Sequence, residues 1–447
     1  MGVLLQIAYR NLVQARRRTL LIFTALALVT VLLLLLDALS GGITETMIRQ
    51  ATTLSSGHVN VGGFYKARVD TTAPLVTGVQ ALRRIVEENV EGLDYIVDRH
   101  RGWARVISPS GSIQSGLNGI DIGQEGRLVE RIQLAPRSDY RDDGGDEIVG
   151  DLSKLSEPNT ALIFAAQARR LKVDVGDMLT LSTQTFGGMS NTSEVRIVAI
   201  AKDVGFLSNW SVFVPKEVIY DLYRLNDDTT GAIMIYLKDP SRAEEVRVKL
   251  DRVLRDAGYQ VMDHRPEPFF AKFQQVLGED WTGQKLDLST WEDEVSYMKP
   301  ILAGIDSISF ILVSILVVII AMGIMNTMWI AVRERTREVG TLRAIGMSKE
   351  RVWLMFMIEA LLLGGAATLT GALLGLLIVA GVDAARIEVP WVAVQAILMS
   401  DILHLAFDPA MAVKAVAAFT VVTGLASLLP AIRAASLRPI TAIHHVG

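Results

Sequence analysis

The chain of 447 residues contains no cysteine. Disulfide bonds, thiol nucleophiles and metal sites built from thiolates are therefore excluded. Proteins without cysteine occur on both sides of a membrane, so this absence says nothing about the compartment. Burial of apolar groups, hydrogen bonds and ion pairs must hold the fold together.

Sequence motifs of common catalytic sites are also missing. The chain has no Gly-x-x-x-x-Gly-Lys-Ser/Thr loop for nucleotide phosphates, no His-Glu-x-x-His zinc motif and no Gly-x-Ser-x-Gly nucleophile. Only six histidines are present, and His58 has no second histidine or carboxylate at metal-ligand spacing. We therefore predict no metal site, no cofactor bound by this chain and no enzymatic activity of its own, with His58 as a structural residue.

Apolar residues, in contrast, make up half of the chain. Four stretches, 19–40, 301–332, 352–381 and 410–432, reach the roughly 20 residues that a helix needs to cross a bilayer core. Residues 41–300 mix polar and apolar types and are numerous enough to fold around a core of their own. The predicted fold class is a membrane protein with four transmembrane helices and a large mixed α/β extracytoplasmic domain inserted between helices 1 and 2.

Positive charges concentrate on one side of the predicted spans. Lys and Arg number four before the first span, six in the segment 333–351 and two in the tail 433–447, whereas the connection 382–409 holds only Arg386. By the positive-inside rule, both termini and the segment 333–351 are cytoplasmic, and residues 41–300 are extracytoplasmic. The remaining sequence is net acidic, which argues against a nucleic-acid partner.

Residues 1–18 are predicted to form a cytoplasmic amphipathic helix that leads into the first span. Ile7, Ala8 and Leu12 recur at helical spacing, and three arginines follow at 16–18. Positive-inside anchoring alone explains these arginines about as well.

The large domain carries signals for both strands and helices. Residues 160–164 are predicted as a strand and 165–171 as a short helix. Asp239 is a predicted N-cap for a helix that stops at Gly258, with a strand expected at 259–262.

Two loops of this domain differ in character. The loop 136–159 is rich in Asp, Gly and Ser and is predicted to be a solvated insertion. The loop 183–192 places Phe186 and Met189 near its tip, where exposed apolar side chains would form a candidate partner-contact hairpin. A simple hairpin with Phe186 folded inward is the alternative.

Small residues line one face of the third span. Gly371 and Gly375 stand four residues apart, a spacing that lets two helices approach closely. We favour packing within one subunit as the use of this pattern.

The segment after the second span combines charge with a recognisable pattern. Its characteristic residues are Asn326, Glu334, Arg335, Arg337, Glu338, Gly340, Leu342, Arg343, Ala344, Gly346 and Ser348. These residues, lying between two spans, resemble the permease core of FtsX/MacB-type ABC transporters. Within that family, the lipoprotein-releasing permeases are the most similar subfamily.

The resemblance implies that the segment 333–351 contains a coupling helix that docks on a cytoplasmic ABC ATPase dimer, which binds ATP and Mg. We expect this ATPase to be a separate chain, unlike in the MacB proteins. The candidate docking residues are Arg333, Glu334, Arg335, Arg337, Glu338, Gly340, Thr341, Leu342, Arg343 and Gly346. Ion pairs are expected from Arg335, Glu338 and Arg343, and close backbone approach at Gly340 and Gly346. A solvated positive-inside loop is the alternative.

The same resemblance implies a non-catalytic permease subunit of the bacterial inner membrane that pairs with a second permease subunit, identical or not. ATP hydrolysis by the partner would move the large domain by mechanotransmission and release lipoproteins or lipids. The alternatives are efflux of drug or peptide amphiphiles with a membrane-fusion protein, and FtsX-like regulation of a cell-wall hydrolase without transport. A lipoprotein, a periplasmic carrier and membrane lipids are the further partners expected.

Overall fold

The computed structural model describes residues 2–186, 188–391, 394–395, 398 and 400–437. The chain divides into two compact units. The membrane unit comprises Met1–Glu45, Pro300–Glu388 and Ile402–Gly447, and the α/β unit comprises Thr46–Lys299 and Val389–Asp401. Most of the predicted tail 433–447 and part of the predicted connection 382–409 lie outside the described residues.

The helices and strands are numbered here in chain order. The helices are α1 (Gly2–Gln14), α2 (Arg16–Leu54), α3 (Val79–Asn89), α4 (Gly126–Arg131), α5 (Ala165–Leu171), α6 (Gly205–Ser208), α7 (Lys216–Tyr223), α8 (Ala243–Asp256), α9 (Phe269–Leu277), α10 (Trp291–Glu294), α11 (Lys299–Glu334), α12 (Thr336–Ala344), α13 (Lys349–Ala385) and α14 (Pro409–Ser436). The strands are β1 (Val59–Lys66), β2 (Val76–Thr77), β3 (Leu93–Ser108), β4 (Gly111–Ile120), β5 (Thr160–Phe164), β6 (Met178–Gln184), β7 (Ser190–Ala201), β8 (Ser211–Pro215), β9 (Thr229–Thr230), β10 (Ala232–Leu237) and β11 (Gly283–Thr290).

Four helices among the described residues, α2, α11, α13 and α14, are long and apolar enough to cross a membrane. The strands all fall between α2 and α11. The predicted fold class, four membrane helices with a mixed α/β domain inserted between the first two, is therefore confirmed.

Local sequence signals explain where two of these helices begin. The Ser348 hydroxyl accepts a hydrogen bond from the Arg351 N–H and starts α13. The Asp408 carboxylate accepts one from the Ala410 N–H at 2.9 Å and starts α14, with Pro409 in its first turn.

The chain from Trp291 into the second span does not form one continuous helix. Short α10 ends at Glu294, a 3-10 turn covers Ser296–Met298, and α11 begins at Lys299. Pro300 lies in the first turn of α11, where its missing N–H removes no helical hydrogen bond. The proline therefore begins this helix rather than kinking it.

The strands of the α/β unit form a mixed sheet in the order β11-β1-β10-β3-β4-β8-β5-β7-β6, with a separate β2–β9 pair. The long strand β3 pairs with β10 along its first half and with β4 and β6 along its second half. Because β6 also pairs with β7, the strands from β3 to β6 in this order close into a ring. Val106 of β3 stands opposite Leu181 of β6 where the ring closes.

Two apolar cores follow from this topology. The ring encloses buried side chains of its own strands, including Val106, Leu117, Ile163, Leu181 and Ile197. On the other part of the sheet, α3 and α8 cover β1, β10 and β11. Val246, Leu250 and Leu254 of α8 are buried there at a spacing of four residues, as expected for one apolar helix face.

The structure confirms several local predictions. The strand expected at 160–164 is β5, and the helix expected at 165–171 is α5. The Asp239 carboxylate accepts a hydrogen bond from the Ser241 N–H, as an N-cap does, although a 3-10 turn precedes α8.

Two local predictions are wrong. Residues 259–262 form no strand, because Val261 makes a single bridge to Leu286 before Pro266 and Pro268 divert the chain. The loop 136–159 is not wholly solvated, since Tyr140 and Leu155 are buried within it. Aromatic and aliphatic anchors thus tie this insertion to the domain core.

Candidate coupling site

The charged segment between the second and third spans folds around the short helix α12. Arg333, Glu334, Arg337, Glu338, Thr341 and Gly346 are exposed. Ile345, directly after the helix, has 80% of its side chain exposed. Ile345 is therefore an exposed apolar side chain beside exposed charges.

The end of α12 is fixed by Gly346. This glycine has φ +105°, a backbone conformation that favours residues without a side chain. Its N–H donates to the Arg343 carbonyl at 3.2 Å, and the Met347 N–H donates to the Leu342 carbonyl at 3.0 Å. Gly346 therefore turns the chain from α12 towards α13 through its backbone conformation.

Arg335 does not lie on the exposed surface. Its guanidinium is buried and forms an ion pair with Glu359 of α13, with 2.9 Å between Arg335 Nη1 and Glu359 Oε2. Arg335 Nη2 also donates to the Asn11 carbonyl at 3.2 Å. The expected docking contact from Arg335 is thus corrected to an internal one that joins α1, the start of α12 and α13.

The Asn11 side chain extends this network. In the amide orientation that gives both side-chain atoms a hydrogen-bond partner, the Asn11 oxygen accepts from Arg335 Nη1 at 2.9 Å. The Asn11 nitrogen then donates to the Ile7 carbonyl at 3.2 Å. A second ion pair, Arg18 with Glu334 at 3.2 Å, joins the start of α2 to the end of α11. The amino-terminal helix is therefore tied to the segment that carries the candidate site.

Other candidate docking residues differ in position. Gly340 is buried within the membrane unit and is therefore not part of the exposed candidate surface. Leu342 is half-buried, and Arg343 donates to the Met347 carbonyl at 3.4 Å. Glu338 is exposed and keeps its place on the candidate surface.

Sequence reasoning missed two residues of this region. Ile345 is an apolar residue in a polar segment, which is a usable signal. Glu359 is a carboxylate within an apolar span, and a charge there usually has a partner. The structure buries Glu359 against Arg335.

The glycines of the third span pack against the first span of the same chain. A Cβ on Gly371 would lie 2.5 Å from the Ala27 carbonyl oxygen, and a Cβ on Gly375 would lie 3.1 Å from Leu34. The helices α2 and α13 therefore approach closely at these positions, and the favoured use of the pattern, packing within one subunit, matches this geometry.

The two apolar residues of the hairpin between β6 and β7 differ in their exposure. Phe186 is partly buried and stacks on Tyr223, with ring centroids 4.9 Å apart. The alternative of an inward-folded Phe186 is therefore the arrangement found, and Phe186 is corrected as a partner contact. Met189 is 56% exposed, so only Met189 retains the predicted role.

His58 has the environment of a structural residue. Its Nδ1 accepts a hydrogen bond from the Leu237 N–H at 2.9 Å, and its ring lies edge-on to Tyr236. Burial lowers the pKa of His58 to about 4, so the ring is neutral at physiological pH. Among the described residues, no group of three or more His, Asp or Glu side chains is arranged to hold a metal ion.

Comparison with known proteins gives a family match that begins within α11 and ends just after α14. Residues 310–439 match the FtsX-like permease C-terminal family. The chain is 33% identical over 124 residues to the macrolide export ATP-binding/permease protein MacB of Chlorobium luteolum, covering 28% of this chain and 16% of that protein. It is 30% identical over 216 residues to MacB of Nitrobacter winogradskyi, covering 48% of this chain and 28% of that protein. The chain thus spans under a third of these MacB relatives.

A longer but weaker similarity is found to an uncharacterized ABC transporter permease of Methanocaldococcus jannaschii, 20% identical over 87% of this chain and 86% of that protein. Among solved structures, the extracellular domain of the ABC-type transporter YknZ from Gram-positive bacteria is 14% identical with a TM-score of 0.29 and covers 44% of this chain and 94% of that domain. The periplasmic region of MacB from Actinobacillus actinomycetemcomitans is 10% identical with a TM-score of 0.28, over 45% of this chain and 85% of that region.

Proposed function

We propose that this chain, whose residues 310–439 match the FtsX-like permease C-terminal family, is a permease subunit of the FtsX/MacB type on which a separate ATPase acts. The observation that supports this most is the exposed charged segment around α12. It lies between two helices that can cross a membrane and ends in the exposed Ile345. The ATP and Mg belong to the partner in this proposal, and this chain supplies the docking surface.

The surface offered to the ATPase consists of Ile345 and the exposed charges around it. Glu338 and Thr341 of α12 and Arg333 just before it supply polar contacts, and Ile345 supplies the apolar contact. Contacts of this composition, an apolar anchor within a polar rim, dominate binding energy at protein interfaces. The buried ion pair between Arg335, just before α12, and Glu359 of α13 holds this surface in position.

The mechanical part of the proposal is that movement at α12 is transmitted to the α/β unit. Helix α11 follows directly from the α/β unit at Lys299 and runs unbroken to Glu334, next to α12. Helix α2 likewise runs unbroken from Arg16 to Leu54 and belongs to both units. Continuous helices are rigid elements through which a shift at one end can bias a two-state equilibrium at the other.

A second permease subunit is part of the proposed assembly. Helix α11 exposes apolar side chains along its middle, including Ile308, Phe310, Ile315, Val318 and Met322. Such a helix suits contact with lipid and with a partner helix. We place the complex in the bacterial inner membrane, with both termini and α12 in the cytoplasm and the α/β unit outside, because positive charge favours the cytoplasmic side.

For the work performed, we infer release of lipoproteins or lipids from the membrane. Efflux of an amphiphile with a membrane-fusion protein is the second candidate. It is favoured by the name of the MacB relatives, which are macrolide export proteins. In both cases the substrate is amphipathic and the α/β unit is the moving part. Regulation of a cell-wall hydrolase remains the third outcome that substrate identification would reveal.

The docking role is tested by removing the apolar anchor. In the complex purified with its ATPase and reconstituted in lipid, Ile345→Ser should reduce permease-dependent ATP hydrolysis by about tenfold, since a good apolar contact contributes roughly 1–2 kcal/mol. Ile345 is exposed, so the substitution leaves the fold of the chain intact.

The matched control is Ile148→Ser, which removes an equally large exposed side chain from the α/β unit. We expect this variant to retain full ATPase stimulation and normal assembly. Full stimulation in Ile345→Ser, or an equal loss in both variants, would reject docking through α12.

A further inference from the structure

The α/β unit contains a cavity of about 350 Å³ that the proposed function does not use. Its walls come from β3, β4, β8, α9 and the segment before α11. The apolar lining is largely aromatic, with Trp103, Leu117, Trp210, Phe269, Phe270 and Tyr297. A volume above roughly 300 Å³ with apolar walls is in the range of small-molecule sites.

A glycine helps to shape this space. Gly116 of β4 stands opposite Trp103 of β3 in the strand ladder. A Cβ at Gly116 would lie 2.9 Å from the Trp210 carbonyl oxygen. The absence of a side chain there lets the Trp210 backbone approach the sheet, so that Trp103 and Trp210 border the same cavity.

The polar residues that line the cavity include Arg101, Asn118 and Glu294. The carboxylate of Glu294 is already engaged, because it accepts hydrogen bonds from the Ser289 hydroxyl at 2.9 Å and from the Phe269 N–H at 3.3 Å. The amide of Asn118 has no side-chain hydrogen bond within the described part of the chain. Asn118 can therefore bind a ligand without giving up an internal partner.

Arg101 is half-buried and differs from two fully buried cations of this unit. Arg99 pairs with Glu125 at 2.7 Å, and Lys272 pairs with Asp287 at 2.8 Å. The guanidinium of Arg101 instead lies 4.6 Å from the centre of the Phe269 ring and donates to the Ser55 carbonyl at 3.3 Å. Among the described residues, no carboxylate forms an ion pair with it.

The electrostatic setting leaves this charge undercompensated. Burial lowers the pKa of Arg101, and the nearby charge of Arg99 lowers it further, while Glu294 and Asp287 oppose these effects. A half-buried cation that has no ion pair with a carboxylate gains from an anion in contact with it. The guanidinium also offers several N–H donors in a geometry that suits carboxylate and phosphate.

We propose that this cavity binds an anionic amphiphile, a molecule with one carboxylate or phosphate group and an apolar body. Arg101 and Asn118 hold the anionic group, and Trp103, Trp210 and Phe270 enclose the apolar body. The site belongs to the α/β unit alone and does not depend on transport. Such a site is compatible both with transport and with regulation of an enzyme.

The test uses the full chain in nanodiscs of phosphatidylcholine and two soluble probes, decanoate and 2-naphthoate. Binding is measured by isothermal titration calorimetry, with the heat of empty nanodiscs subtracted. We expect one saturable site per chain for at least one probe. The neutral alcohols of the same carbon skeletons, 1-decanol and 2-naphthalenemethanol, should bind at least tenfold more weakly. Tighter binding of decanoate would indicate a lipid-derived ligand, and tighter binding of 2-naphthoate a soluble aromatic acid.

Substitutions of cavity residues test whether the probe binds in this cavity. Arg101→Met should weaken binding of the anionic probe at least tenfold, and Arg101→Lys should retain part of it. Arg105→Met is the matched control, because Arg105 lies on the same strand, is exposed and does not line the cavity. Should Arg101→Met fail to fold, Asn118→Leu provides the same test with a smaller expected loss. Absence of saturable binding, equal binding of acids and alcohols, or unchanged binding in the cavity variants would overturn the proposal.

Discussion

The pair of Arg335 and Glu359 is the contact on which the candidate coupling surface depends at the residue scale. Both side chains are buried, and Arg335 also reaches the backbone of Asn11 in α1. Removing one partner of such a pair leaves an uncompensated charge, which costs about 3–5 kcal/mol. Arg335 is therefore a positioning residue, and its effect on a partner ATPase acts through the placement of α12.

We expect Arg335→Met and Glu359→Leu each to destabilise the membrane unit by about 3 kcal/mol, measured by thermal unfolding in detergent. The double variant should lose less than the sum of the two, because no charge is then left unpaired. ATPase stimulation should fall in both single variants. Arg333→Met removes an exposed arginine two residues away and should leave thermal stability unchanged. Strictly additive losses would contradict a direct pair.

Helix packing in the membrane unit is uneven at the element scale. Helix α13 is held closely against α2 through Gly371 and against α14 through Gly364, where a Cβ would meet Thr423 at 2.8 Å. Helix α11 buries few of its apolar side chains in the chain itself. Because association of helices in lipid relies on close packing of small residues, α2, α13 and α14 form the closely packed part of the unit. Helix α11 makes fewer buried contacts within the chain.

Gly371→Ala should destabilise the membrane unit by roughly 1–3 kcal/mol, because overpacking forces the helices apart. Its added methyl group would meet the backbone of α2 at 2.5 Å, which cannot move aside alone. Gly375→Ala should cost less, since the obstacle is the end of the flexible Leu34 side chain. Gly381→Ala is the control in the same helix, with no atom within 4 Å of the added group. Equal thermal unfolding temperatures for all three variants would refute the close contact.

The whole molecule consists of two units with different chemistry. One buries apolar helix faces against each other and exposes apolar surface along α11, and the other folds around a mixed sheet with two cores of its own. Two of the segments that connect them are helical, since α2 enters the α/β unit and α11 leaves it. In the proposed function, movement at α12 reaches the α/β unit through these two helices.

The proposed orientation can be tested directly because the natural chain contains no cysteine. Single cysteines at two exposed positions, Ile148→Cys in the α/β unit and Ile345→Cys after α12, have high accessibility. In spheroplasts, a membrane-impermeant maleimide should label the first variant and should label the second only after lysis. The unmodified chain provides the control without label. The reversed pattern would overturn the assigned orientation.

Sequence alone determined the features that depend on local composition and on the spacing of apolar residues. Long apolar runs require helices that can be shielded from water, so the four spans and the inserted domain followed from residue type and order. The strand at 160–164 and the Asp239 cap followed from equally local signals. The pattern around Glu338 and Gly346 pointed to the family that the match over residues 310–439 supports.

Only the tertiary structure decided which residues meet across long separations. Arg335 and Glu359 are 24 residues apart, and Asn11 joins them from the far end of the chain, so no local pattern could separate this buried arginine from its exposed neighbours. Closure of the sheet between β3 and β6, the stacking of Phe186 on Tyr223 and the position of the Arg101 guanidinium over the Phe269 ring are likewise contacts between distant segments. Such contacts arise from packing of the whole chain, because the elements packed around a side chain determine whether it is buried and which group it pairs with.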